Sequence, residues 1–133
     1  VMVPYWHETL ESGEGDEIGL EFARLWDRLP KYVASRTLTE VHESCRLIEG
    51  DAIEAILDLK RETEGDIEVG GGILSAQLDA LGEIDVYNVW TLPVRIGGGK
   101  HYFPAGRSVE TFELTDLRRF PEGGVALEYT LRR

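Results

Sequence analysis

The sequence predicts an α/β protein: a mainly parallel sheet flanked by helices, with antiparallel strands added at its C-terminal edge. Three observations carry this. Helical and strand-like patterns alternate through the middle of the chain, as parallel pairing across helical crossovers requires. Residues 66–81, Asp-Ile-Glu-Val-Gly-Gly-Gly-Ile-Leu-Ser-Ala-Gln-Leu-Asp-Ala-Leu, read as strand, glycine turn and helix. Two β-rich runs close the chain, and the short joint Pro121-Glu122-Gly123-Gly124 between them implies a hairpin.

The elements follow in order. Val1 to Trp6 is apolar and reads as the tail of an element, followed by an acidic, glycine-containing exposed loop from Glu8 to Glu17. Asp16 is placed to cap a helix whose apolar face is Ile18, Phe22, Leu25, Trp26 and Leu29, and Pro30 ends it. Gly19 weakens its first turn. Lys31 to Ser35 is a compact strand candidate with Arg36-Thr37-Leu38 as the loop at its carboxyl end, and Arg46 to Ile48 is a very short second strand. Asp51, with Glu54 three places on, caps an amphipathic helix built on Ile53, Ile56, Leu57 and Lys60. After the central strand, turn and helix, Ile84 to Leu92 alternates as a long strand with both faces partly covered. Pro93 to Phe103, containing Gly97-Gly98-Gly99-Lys100, reads as a mobile loop, and strands are expected at about Glu110–Phe120 and Val125–Leu131.

A chain of 133 residues with 42% hydrophobic content is the size of one domain and can build a core. The 25 acidic residues against 14 basic ones give a formal charge of -11. That balance argues against nucleic acid and against an anionic membrane surface as partners, so an anionic ligand needs a local positive site. Cys45 is the single cysteine, which excludes an internal disulfide and makes a reducing cytoplasm the expected location. No export signal or transmembrane run is expected.

Two features suit an anion. The Gly70-Gly71-Gly72 turn lets a phosphate approach the backbone, and the first N–H groups of the helix beginning at Ile73 and Leu74 have no intrahelical partners. A turn that only packs the helix closely would use the same residues. Ser35-Arg36-Thr37 places a guanidinium between two hydroxyls, well matched to a phosphate monoester. A salt bridge from Arg36 to a nearby carboxylate is the competing reading. Other conspicuous residues read more plainly. His7, His42 and His101 are scattered without a paired carboxylate at ligand spacing, so no metal site is expected. His101 and Tyr102 belong to an exposed loop or line a substrate pocket. Cys45 reads as a structural thiol, and Tyr87 and Trp90 as core or interface residues.

Five segments occur in an order and spacing that resemble the dihydrofolate reductase-like superfamily, closest to the branch of the reductase domain of bacterial riboflavin biosynthesis. They are Pro30 to Leu38, Leu47 to Asp51, Gly65 to Gly72, Leu81 to Tyr87 and Pro93 to Lys100, and the likeness spans about Tyr5 to Leu131. The resemblance implies a mainly parallel sheet, a C-terminal antiparallel hairpin and NADPH as hydride donor to a small heterocyclic, pyrimidine-like or pterin-like substrate. By position, Ser35, Arg36 and Thr37 match the family's adenosine 2′-phosphate site. Gly70, Gly71, Gly72, Ile73 and Leu74 match its pyrophosphate turn and the start of the helix after it. Members of the superfamily carry a further N-terminal stretch, with a central first strand, a substrate loop and a Gly-Arg motif, before a segment like Pro4-Tyr5-Trp6. None of these is present here. The expectation is therefore one reductase-like domain over residues 1–133, lacking that strand and loop, from a truncated sequence, and no catalytic residue can be named. A homodimer is also expected, because the family often pairs and the apolar, aromatic strand Tyr87 to Leu92 needs cover. The alternative on the same fold is a catalytically inactive nucleotide-binding or interaction protein.

Overall fold

The computed structural model describes residues 2–103 and 108–132, so the expectation resting on Val1 lies outside the described residues. The chain divides into two compact units, Val1–Glu64 and Gly65–Arg133.

The first unit holds α1 (Met2–Ser12), α2 (Glu17–Arg28), β1 (Lys31–Val33), β2 (Cys45–Leu47) and α3 (Ala52–Glu62). The opening segment is helix almost to Gly13, where a tail and a loop were expected. Its physical basis is tertiary: Trp6 packs its ring 4.6 Å from Phe22 of α2, and Pro4 lies in the first turn, where its missing N–H removes no bond. The acidic loop shrinks to the residues around Gly13, whose φ of 67° lets the chain turn. Asp16 caps α2 as expected, its Oδ1 accepting from Gly19 N at 2.7 Å. The other end is closed by a residue not foreseen in that role. Lys31 donates from Nζ to the carbonyls of Trp26 (2.7 Å), Leu29 (2.9 Å) and Asp27 (3.3 Å), placing a cation at the negative end of the helix. Asp51 Oδ1 caps α3 by accepting from Ile53 N and Glu54 N at 2.9 and 3.0 Å. Strands β1 and β2 pair in parallel, Lys31 opposite Cys45 and Val33 opposite Leu47.

The second unit holds α4 (Gly72–Ala80), β3 (Val86–Thr91), β4 (Phe112–Arg119) and β5 (Val125–Leu131). The sheet order is β3-β5-β4, and every pairing is antiparallel. The C-terminal hairpin is therefore present. The parallel component among the described residues is limited to two strands, because β3 finds its partner in β5. Asp66–Val69, expected as a strand, enters no ladder among the described residues. β3 is covered on one face only: Tyr87 is buried, while Val86, Asn88 and Trp90 of the other face are exposed. A bulge at Thr115 interrupts β4, and the extra hydroxyl donates to the Glu128 carbonyl at 3.2 Å and its carboxylate at 2.7 Å.

The core of this unit is an aromatic cluster with a polar anchor. Tyr87 lies 5.6 Å from Phe103 and 5.1 Å from Phe112, centroid to centroid, and its hydroxyl donates to Asp79 Oδ1 at 2.6 Å. Asp79 and Leu78 are the buried residues of α4, so this bond ties the helix to β3.

Candidate functional site

The glycine turn is built as an open helix end. Gly71 is the N-cap of α4 with φ 94° and ψ 114°, a conformation that only glycine adopts without strain. Having no side chain, it gives α4 no side-chain cap, so the leading N–H groups of the helix carry no such partner. Its carbonyl accepts from Ser75 N and Ser75 Oγ, both at 3.0 Å, which sets the first turn. A Cβ placed on Gly70, Gly71 or Gly72 would meet nothing within 4 Å among the described residues. The glycines are thus not explained by tight packing of the helix against a neighbour. Only Gly71 is required by its own backbone; Gly70 and Gly72 leave room where a side chain would stand. Ile73 is exposed and Leu74 half-buried. The donor set, bare amides at the positive end of a nine-residue helix, fits a phosphate.

The second anion candidate lies in the first unit. Ser35 turns its oxygen onto the backbone of its own loop. Its Oγ accepts from Leu38 N at 3.0 Å and Thr37 N at 3.2 Å, with Thr37 Oγ1 at 3.5 Å. This serine turn holds the loop in shape, and with the two hydroxyls in contact with each other one of their protons is left to donate outward. Arg36 at its tip is exposed, and no ion pair to it occurs among the described residues, so the salt-bridge reading has no partner there. Ser35, Arg36 and Thr37 belong to the first compact unit and Gly70 to Leu74 to the second.

Elsewhere the fold assembles residues that are far apart in sequence. His7 and His42 come within 5.0 Å, ring to ring, and His7 also has Glu11 at 3.6 Å and Asp27 at 3.7 Å. The description of scattered histidines does not hold for this pair. His42 Nδ1 accepts from Ser44 N at 3.2 Å, so in the neutral ring its other nitrogen carries the proton and offers no lone pair. Among the described residues no group of three or more His, Cys, Asp or Glu could hold a metal ion. Tyr102 donates from its hydroxyl to the Asn88 carbonyl at 3.1 Å, and partial burial raises its pKa above the usual tyrosine value. Among the described residues no helix is long and apolar enough to cross a membrane.

No protein-family model matches the chain. It is 27% identical over 125 residues to the uncharacterized protein YyaP of Bacillus subtilis (strain 168), a match that covers 93% of this chain and 66% of that protein. Among solved structures it is similar to a protein of Shewanella sp. PV-4 provisionally named for riboflavin biosynthesis. There the TM-score is 0.66 and the identity 21%, with 88% of this chain and 71% of the other covered. A pyrimidine reductase-like protein of Corynebacterium diphtheriae aligns with TM-score 0.54 and 14% identity, over 77% of this chain and 50% of the other. The chain thus has a mixed α/β fold shared with a protein named for riboflavin biosynthesis and one named as pyrimidine reductase-like.

Proposed function

We propose that the chain is part of an NADPH-dependent reductase acting on a small heterocyclic, pyrimidine-like or pterin-like substrate. The observation that carries the reading is the open start of α4, without a side-chain cap, behind glycines that nothing crowds among the described residues. In this reading the amides of Gly72, Ile73 and Leu74, with the bare backbone of Gly70 and Gly71, hold the pyrophosphate. Arg36, with the hydroxyl pair of Ser35 and Thr37, holds the adenosine 2′-phosphate. When bound, the cofactor supplies the hydride; the residues named here bind and orient it and touch no reacting atom. The names of the structural neighbours support a reductase, and with a net charge of -11 a phosphate needs a local site of positive potential. The protein is further proposed to work in the cytoplasm as a homodimer.

The test is a thermal-shift titration with NADPH and NADH, followed by Arg36→Ala. NADPH is expected to stabilise the protein more than NADH, and the substitution to weaken NADPH alone, by roughly tenfold or more for a lost charge-assisted phosphate contact. Equal loss for both nucleotides removes Arg36 from the 2′-phosphate. Stabilisation without NADPH oxidation by any pyrimidine-like or pterin-like compound favours the inactive nucleotide-binding alternative.

A further inference from the structure

His7 meets a carboxylate at each of its two ring nitrogens, and the two carboxylates belong to different helices. Nε2 lies 3.6 Å from Glu11 Oε1, one turn further along α1. Nδ1 lies 3.7 Å from Asp27 Oδ1, in the last turn of α2. Nδ1 is shut off from solvent and has no hydrogen-bond partner among the described residues. All of these groups sit inside the first compact unit.

Both distances are just beyond hydrogen-bond length, so the charge on the ring decides whether it holds the helices together. A neutral imidazole has one N–H and one lone pair. With the proton on Nε2, the buried lone pair of Nδ1 faces the Asp27 carboxylate, acceptor against acceptor. With the proton on Nδ1, the other lone pair faces Glu11. Only the imidazolium offers each carboxylate an N–H. Asp27 also stands at the negative end of α2, where a cation is favoured. Lys31, the other cation at that end, donates to the carbonyls of Trp26, Asp27 and Leu29. Among the described residues the remaining ionisable group against the ring is His42, 5.0 Å away and tilted by 63°. Its Nδ1 accepts from Ser44 N at 3.2 Å, so a proton added there would displace that bond and set two cations side by side. One proton shared by the pair therefore goes to His7.

We infer that protonation of His7 is a pH-sensitive clasp fastening α1 to α2, with Asp27 taking the buried N–H and Glu11 the outer one. On the acid side both the folded and the unfolded chain carry this proton, and the clasp contributes in full. As the pH rises past the ordinary histidine range, near about 6.5, the unfolded chain loses the proton first and the contribution fades until the folded protein gives it up too. Below about pH 5 the carboxylates begin to take up protons themselves, which bounds the window from the other side.

The experiment is backbone hydrogen exchange across α1 at pH 6 and pH 8, corrected for the intrinsic rates, so that it reads the opening of this helix. In the wild type α1 is expected to open roughly fivefold more readily at pH 8, the scale of one partly exposed ion pair with a weaker outer one. His7→Gln and Asp27→Asn are expected to remove that difference. Each variant is compared with itself at the two pH values, so a general loss of stability does not imitate the effect. His42→Asn, whose amide oxygen can take over the Ser44 N–H, is expected to keep it. The imidazole signals of the unmodified chain give a second measurement that needs no variant: on acidification His7 is expected to take up its proton before His42. A wild-type α1 equally or better protected at pH 8 overturns the clasp. A difference that survives His7→Gln, or His42 protonating first, places the proton elsewhere and overturns it as well. None of these outcomes bears on nucleotide binding.

Discussion

The hydrogen bond between Tyr87 and Asp79 gives the sharpest test of how the second unit is held together. Tyr87→Phe removes one oxygen and keeps the ring that packs against Phe103 and Phe112. The bond is short, 2.6 Å, and both residues are only 8% exposed, so water cannot replace the lost donor efficiently. A hydrogen bond to a charged acceptor contributes about 1.5–3 kcal/mol. Asp79 keeps other interactions, which places the expected loss near the middle, about 2 kcal/mol. For a chain of this size that corresponds to a Tm lower by roughly 8 °C. The assay is urea unfolding of wild type and variant, with Tyr129→Phe as control. Tyr129 is the ladder partner of Tyr87, and its hydroxyl makes no hydrogen bond among the described residues. The expected result is a drop in midpoint for Tyr87→Phe, with Tyr129→Phe within about 0.5 kcal/mol of wild type. A Tyr87→Phe loss inside that same margin would show that α4 is not anchored through Asp79.

The glycine turn separates backbone need from ligand space. Gly71→Ala forces a side chain into φ 94° and should cost about 1–3 kcal/mol of stability, whereas Gly70→Ala should fold normally and weaken NADPH, as read by parallel melting and nucleotide titrations. Lys31→Met removes the cation that satisfies three carbonyls at the end of α2 and should cost about 1–2 kcal/mol by chemical denaturation; Lys31→Arg should recover part of it. Partial burial raises the Tyr102 pKa, so the folded state prefers the neutral phenol. Its contribution to stability is full below the ordinary tyrosine pKa and is lost as the pH rises through the raised one. Ultraviolet titration of tyrosinate, compared with Tyr102→Phe, should show Tyr102 ionising above the ordinary tyrosine value, and ionisation at or below that value would contradict its burial.

Much of this architecture was legible in the sequence wherever its cause is local. Asp16 and Asp51 act within three residues of themselves, so their caps could be read directly, and the helices after them start where expected. The positive φ at Gly71 and the bounds of β5 follow from residue types in place. The candidate phosphate turn belongs to this class, since a bare helix start behind glycine is a property of a few consecutive residues.

Other features depend on partners the sequence does not name. α1 is a helix because Trp6 finds Phe22, and Asp66–Val69 enters no ladder among the described residues because pairing needs a neighbour that propensity cannot supply. The long strand expected over Ile84–Leu92 fell within a sheet expected to be mainly parallel, yet Val86–Thr91 runs against Thr130 back to Val125 and is antiparallel. Lys31 looked like the start of a strand and also serves as the cap of the preceding helix, and Tyr87 looked like plain core until Asp79 was found beneath its hydroxyl. Hydrogen bonds that close within one turn are written in neighbouring residues. Strand pairing and buried polar anchors are settled only when distant segments compete for the same contacts.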